Sequence, residues 1–296
     1  MNKINIAVFF NNQRGLKVTE YFLKRNQKKK FNIKIIFISK KNQSKNLLNK
    51  IKKYKKHFPV IVDNPNSKFV ENKLKKNNID LNLICGFPYI LKKNIFSLPK
   101  YGSINLHGGP LPKYRGGSPL NWQIINNEKY IGISSIKVDK GIDTGPIILQ
   151  KKFKLNFSDD ISDVHRKANK LFPLLARQSI NKLINKHKLK KQNQNIKSYY
   201  KQRSKKDGKI IWKKMTNLQV FNLVRAVTNP YPGAFCIDSN NHEVFILKCK
   251  PTISKSKHKL IGKVFFKRKF PEVRCKKGSI RILKSSKKLL NNQLLN

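Results

Sequence analysis

The sequence predicts an α/β domain built on a mostly parallel sheet, followed by a small all-β domain. Three observations predict it. The first two-thirds of the chain alternate short apolar runs with amphipathic stretches, the pattern of a parallel sheet covered by helices. Those runs are near-continuous, as strands buried on both faces require. Beyond residue 198 the chain changes to short β-patterned segments between polar turns, which reads as a small barrel or sandwich.

Taken in order, residues 4–10 (INIAVFF) form a central strand, 15–23 a helix and 31–39 (FNIKIIFIS) a second strand. Residues 60–63 are a short strand, 67–76 a helix and 81–87 (LNLICGF) another buried strand. The next strand, 103–107, ends on polar residues, where an open α/β sheet carries its chemistry. A helix over 118–125 leads to strands at 133–138 and 147–155. The long helix 159–183 has Asp159 and Asp160 available as N-caps, and Pro173 is expected to bend it. Residues 187–198 (HKLKKQNQNIKS) are polar, basic and weakly patterned, and read as an interdomain linker. A helix follows at 218–227, then strands at 234–237, 244–249, 260–266 and 279–283, and a tail, 284–296, expected to fray.

The 296 residues carry a formal charge of +52. Clustered Lys and Arg neutralise phosphates, so the charge invites a nucleic-acid reading. Its distribution weakens that reading. Between Gly102 and Gln150 five basic residues face three acidic ones, a net of +2, and the other +50 is spread through Lys/Asn-rich tracts such as KRNQKKK and KNLLNKIKKYKK. Charge spread so evenly over solvated faces informs solubility and association more than a defined binding stripe. The four cysteines (Cys85, Cys236, Cys249, Cys275) include no CxxC pair, which argues against structural zinc or a disulfide framework, and no metal is expected. Cys85 sits in an apolar strand pattern as a buried small residue. No run is long enough to span a bilayer and the N-terminus lacks a secretory pattern, so a cytoplasmic location without membrane insertion is expected.

The stretch from Ser103 to Gln150 carries the chemistry. Asn105 and His107 are two apart on one strand, so their side chains point to the same side. Gly108, Gly109, Pro110 and Pro112 shape a tight loop behind them, and Arg115-Gly116-Gly117 add a second turn with one fixed cation. Asp143 lies on another loop, Gly141-Ile142-Asp143-Thr144-Gly145; taken alone, an Asp there more often caps a turn than acts as a base. Together the three suit transfer of an acyl unit onto an amine. Asn105 can donate to a developing oxyanion, His107 can take the proton the amine loses, and Asp143 can favour the imidazolium and fix its tautomer. No GxGxxG follows the first strand, so a dinucleotide redox cofactor is not expected; Asn11, Asn12 and Arg14 there suit substrate contact or helix capping equally. Trp122, at the start of a helix, is expected in the core.

These residues resemble the folate-dependent formyltransferases. The Asn-x-His strand end, the LPKYRG turn, the PLNW helix start and the VDKGIDTG loop look like that family's catalytic segment over some fifty residues. The resemblance implies 10-formyltetrahydrofolate as donor, a Rossmann-like catalytic domain over residues 1–190 and a small, OB-like β-barrel over 199–288. It implies Asn105, His107 and Asp143 as the catalytic set, and a folate pocket lined by Tyr89, Ile90, Leu91, Asp139, Lys140, Gly141 and Ile142. YYKQRSKKDGKIIW and VFNLVRAVTNPYPGAF are similar to sugar-nucleotide N-formyltransferases, including the formyltransferase module of the lipid A aminoarabinose pathway. The resemblance therefore implies a nucleotide-linked amino sugar as acceptor, for surface polysaccharide. Methionyl-tRNA formyltransferase, acting on initiator tRNA, is the rival of the same chemistry; its GTPxFA-like loop and RGKK-type insertion are replaced here by NNQRGLK and KKNQSKN. An inactive, basic RNA-binding scaffold is the rival of another class. Two departures stand out: HGGPLP replaces the commoner SLLP-type turn, and Gly117 stands where sugar-type members often carry a second Arg. Self-association into a homo-oligomer is left open by the sequence.

Overall fold

The computed structural model of the chain describes residues 3–24, 26–41, 45–52, 54, 59–252, 260–267 and 269–296, with the backbone alone at 45 and 46. The KKNQSKN stretch therefore lies partly outside the described residues. Two compact units emerge: residues 1–116, 132–153 and 167–199 form the first, and 117–131, 154–166 and 200–296 the second.

The first unit is built on a seven-stranded sheet of order β3-β2-β1-β4-β5-β7-β8. Its strands are β1 (Ile4–Phe10), β2 (Phe31–Ser39), β3 (Pro59–Val62), β4 (Leu81–Cys85), β5 (Ser103–His107), β7 (Tyr130–Lys137) and β8 (Ile147–Lys154). The pairs β1–β2, β2–β3, β1–β4 and β4–β5 are parallel, and β5–β7 is antiparallel. The chain runs outward from β1 to β3 and returns to β4 on the other side of β1, which makes the carboxyl ends of β1 and β4 the switch point where such sheets bind ligands. Strand β4, most of β1 and the second half of β2 are buried on both faces, hence their near-continuous apolar sequences, whereas the edge strand β3 leaves Ile61 exposed. Phe9 and Phe37 stack at 4.5 Å between ring centres and anchor a cluster with Val62, Val70, Leu74, Leu91 and Ile95.

Helix α1 (Gln13–Phe22) follows β1 directly, and Asn12 caps it by accepting from the Gly15 N–H at 3.1 Å. Asn11 donates to the Lys41 carbonyl at 2.6 Å, and the Arg14 guanidinium lies 4.6 Å from the Phe172 ring centre. Asn11, Asn12 and Arg14 are thus engaged within the protein. Helix α2 (Lys45–Lys52) was not expected from its Lys/Asn-rich sequence, yet Leu47 and Ile51, four apart, are both buried. Helices α3 (Lys68–Lys76) and α4 (Lys93–Phe96) complete the first half. The long helix α6 (Ile161–Ile184) runs unbroken through Pro173. Asp160 caps it, accepting from the Asp163 N–H at 3.0 Å while the Asp163 carboxylate accepts from the Asp160 N–H at 3.3 Å.

In the second unit α5 (Pro119–Ile125) packs on α7 (Asn217–Val227), and Asn121 donates to the Ala226 carbonyl at 2.8 Å. Arg225 is buried and its Nη1 donates to the carbonyls of Asn156, Phe157 and Asp159, fixing the turn ahead of α6. A five-stranded antiparallel sheet has the order β10-β11-β14-β13-β12, with β10 (Ala234–Ile237), β11 (Glu243–Thr252), β12 (Val264–Lys267), β13 (Phe270–Arg274) and β14 (Ser279–Ser285). The sequence did not suggest β13, because Pro271 interrupts its pattern. The tail corrects a second expectation. It does not fray: Leu289 and Leu295 are buried, Leu294 bridges to Lys263 beside β12, and Leu295 bridges to Asp238 beside β10. The last residues thus bond to both sheet edges and close the sheet into a barrel.

Four cysteines are free and buried, and burial pushes the thiols of Cys85, Cys236 and Cys275 up to about 12, so none offers a thiolate near neutral pH. Among the described residues no helix is long and apolar enough to cross a membrane, and no group of three His, Cys, Asp or Glu could hold a metal.

One stability prediction arises from the turn at residues 204–208. Burial acts to raise the pKa of Asp207, but the Ser204 N–H at 2.7 Å, its hydroxyl at 3.0 Å and the Lys201 ammonium at 3.5 Å outweigh it and hold the carboxyl below its ordinary range. A lowered folded pKa means stability that is present above the ordinary Asp value of about 4 and lost as pH falls through the folded value. Asp207→Asn is expected to cost about 0.5–1 kcal/mol at pH 7, the scale of a lost cap, and to flatten the acid limb of stability in denaturant titrations.

Candidate active site

Strand β5 sits between β4 and β7, with Asn105 opposite Ile84 on one side and Ile136 on the other, and His107 opposite Ser134. Asn105 is half-buried and His107 only 6% exposed. The two-residue spacing puts both side chains on one side of the sheet, and the Asp143 loop closes over them. Asp143 Oδ1 accepts from Asn105 Nδ2 at 3.1 Å, and Oδ2 accepts from the Gly116 N–H at 3.0 Å and lies 3.3 Å from His107 Nδ1. A carboxylate, being acceptor only, satisfies all of these at once. Asn105 retains a second amide hydrogen to offer elsewhere.

The other face of His107 is also occupied. Its Nε2 lies 2.7 Å from the Tyr114 carbonyl oxygen. Both ring nitrogens therefore face acceptors. A neutral imidazole has one N–H and satisfies one of them; the doubly protonated ring satisfies both.

The loops holding these groups are built locally. Tyr114 and Asp143 are non-glycine residues in the left-handed region, at φ 62° and 54°. Tyr114 is buried and held by its N–H donating to Ser198 Oγ at 2.9 Å. Gly109 of the HGGPLP turn passes so close to His107 and Tyr114 that a Cβ there would stand 2.8 Å from His107 Nε2 and 2.9 Å from the Tyr114 carbonyl oxygen. Ser134 Oγ donates to the Gly109 carbonyl at 2.6 Å and accepts from the Leu111 N–H at 3.0 Å, tying the turn to β7. Gly117 also has a steric reason: a Cβ there would run into the Gln202 backbone, so a second Arg has no room. Trp122 is half-buried rather than in the core; its ring lies 5.2 Å from Tyr200 and its Nε1 donates to the Lys201 carbonyl at 3.2 Å.

Two residues the sequence did not single out join this site, Tyr114 through its carbonyl and Gln192. Gln192 belongs to the expected linker, but that segment is bonded to the first unit along its length. Lys190 bridges to Ile147, Ser198 donates from its N–H to the Pro112 carbonyl at 3.3 Å, and strands β6 (Arg115–Gly116) and β9 (Tyr199–Tyr200) form a ribbon. Gln192 is buried against the Asp143 loop and Arg115. No local pattern marks it, because its partners are 47 to 77 residues away in sequence.

The residues expected to line a folate pocket divide into presented and structural ones. Phe37, Phe9, Phe87 and Tyr89 form a row of ring contacts from the core outward, and Ile90 beyond it is 63% exposed. Leu91 turns inward to the core cluster, where Val138 also packs, so the loop after β4 and the loop that begins at Asp139 share one apolar base. On the second loop Ile142 is 46% exposed and Lys140 is exposed, whereas Asp139 Oδ1 accepts from the Gly141 N–H at 3.1 Å and the Thr144 hydroxyl at 2.6 Å and shapes its own turn.

The fold and this site define a class. Residues 4–174 match the formyl transferase family and residues 203–293 the formyl transferase C-terminal domain, and the chain belongs to that family. It is 36% identical over 211 residues to the bifunctional polymyxin resistance protein ArnA of Wigglesworthia glossinidia brevipalpis, covering 68% of this chain and 30% of that one. It is 38% identical over 163 residues to the methionyl-tRNA formyltransferase of Thermodesulfovibrio yellowstonii, covering 55% of this chain and 52% of that one. The chain thus aligns with about a third to a half of these relatives. In fold it is similar to an N-formyltransferase from Helicobacter canadensis solved with folinic acid and dTDP-3-aminofucose, with a TM-score of 0.69 at 23% identity, covering 94% of this chain and 98% of that one.

Proposed function

We propose that the protein transfers a formyl group from 10-formyltetrahydrofolate to the amino group of a nucleotide-linked amino sugar. The observation that carries this reading is the convergence of Asn105, His107 and Asp143 in a chain of the formyl transferase family. Bound against Tyr89, Ile90 and Ile142, with Lys140 at the rim, the donor supplies a formyl carbon on a tertiary amine nitrogen. Asn105 then offers its free amide hydrogen to the formyl oxygen as that oxygen gains charge. The His107–Asp143 pair takes the proton that the attacking amine must lose. Nε2 keeps its N–H on the Tyr114 carbonyl, so the added proton comes to lie between Nδ1 and the Asp143 carboxylate. It passes to the donor nitrogen when the intermediate collapses and the bond from the formyl carbon to that nitrogen breaks. Asp143 also orients Asn105 through the first amide hydrogen. Burial of the His107–Asp143 pair strengthens these interactions relative to water. Such proton transfer is worth roughly 10²–10⁴-fold in rate.

The amino-sugar acceptor is supported by the dTDP-3-aminofucose in the H. canadensis structure and by the sequence from Tyr199 to Phe235, which is similar to sugar-nucleotide N-formyltransferases. Charged initiator tRNA is the second reading, favoured by the T. yellowstonii relative and by the +52 charge. Purified protein with 10-formyltetrahydrofolate and either a panel of amino-sugar nucleotides or charged initiator tRNA separates them by product mass. Formylation of sugar nucleotides is the expected result. Turnover of tRNA alone would overturn the sugar acceptor, and turnover of neither would favour the inactive RNA-binding scaffold.

A further inference from the structure

We infer that Gln192 is a positioning residue for Asp143, a role that rests on the formyl-transfer reading of this site. Its amide is fully used. Oε1 accepts from Arg115 Nε at 3.1 Å and Nη2 at 2.7 Å. Nε2 donates to the Asp143 carbonyl at 2.8 Å and the Gly145 carbonyl at 2.7 Å. The orientation has no alternative, because a guanidinium only donates and a carbonyl only accepts. Gln194 braces the same guanidinium, accepting from Arg115 Nη1 at 3.2 Å. Gln192 thus joins the turn that carries Arg115 and Gly116 to the loop that carries Asp143. Those two segments also meet where the Gly116 N–H donates to Asp143 Oδ2. Asp143 is held at a positive φ with its carboxylate on His107, and the two carbonyls that Gln192 grips flank Thr144, next to it.

The test is Gln192→Glu. The carboxylate keeps the acceptor for Arg115 but loses both donors and sets an oxygen against two carbonyl oxygens, so the Asp143 loop is released while the Arg115 side is retained. Gln192→Leu, which removes both sides, is the companion. With ¹⁵N-histidine labelling, the His107 ring resonances are expected to move in Gln192→Glu, and Asp143→Asn is expected to abolish that further change. In turnover, kcat is expected to fall roughly 10- to 100-fold, the scale of a misplaced catalytic group, with KM for donor and acceptor unchanged. Unmoved His107 resonances in folded Gln192→Glu protein would overturn the role, as would a rise in KM at constant kcat. The resonance measurement needs no substrate, so it judges Gln192 even if the wild-type protein formylates no acceptor.

Discussion

Asp143→Asn is expected to lower kcat for formyl transfer by roughly 10²–10⁴-fold, with the fold unchanged. The substitution preserves the side-chain volume and the backbone, since the left-handed φ of 54° suits Asn as well as Asp. What it removes is the pattern of acceptors. The carboxylate receives hydrogen bonds from Asn105 and Gly116 and faces His107 Nδ1. An amide offers one acceptor oxygen, and its NH₂ group must confront either the Asn105 donor or the Gly116 and His107 side. Either choice leaves the ring without the negative charge that holds it after it gains a proton. Steady-state kinetics with circular dichroism of the variant check the prediction. A near-normal kcat would mean that the proton does not pass through this pair.

The largest expected effect on stability lies in the barrel. Glu272 is fully buried on β13, and its Oε1 accepts from Arg281 Nε at 3.0 Å and Nη2 at 2.9 Å across to β14. Thr252 Oγ1 lies 3.4 Å from the other carboxylate oxygen. Breaking a buried pair is expensive because the remaining charge stays desolvated. Arg281→Met is therefore expected to cost about 3 kcal/mol, the low end of the range for buried pairs, because Arg281 itself is 34% exposed. The double variant Glu272→Met/Arg281→Met is expected to recover most of that loss, since two apolar side chains can fill the site without a buried charge. Urea denaturation of both variants checks it. Equal destabilisation of single and double variants would show that packing, not charge, dominates at this position.

The strands of the first sheet were legible because burial on both faces writes continuous apolar runs such as INIAVFF and FNIKIIFIS. Asn105 and His107 were legible because a strand fixes which side they face and the Gly/Pro residues around them restrict the loop. The missed elements share a cause. The polar sequence of α2 hides its two buried residues, Pro271 masks β13, and the tail gains order only from partners on both sheet edges. Gln192 was unreadable for the same reason: in KKQNQN nothing local distinguishes it, and its contacts reach back to Arg115 and Asp143. Sequence patterns report burial and local backbone, whereas the wiring of a site depends on contacts between segments far apart in the chain.

The most direct measurement of the proposed activity follows the formyl carbon itself. Wild-type protein is incubated with 10-formyltetrahydrofolate labelled with carbon-13 in the formyl group and with an amino-sugar nucleotide, and the label is traced by NMR. The expected result is a new amide carbon on the sugar nitrogen, formed by the wild type and lost in Asp143→Asn. Label that stays on the donor, or appears only as free formate, would contradict formyl transfer to an amine by Asn105, His107 and Asp143.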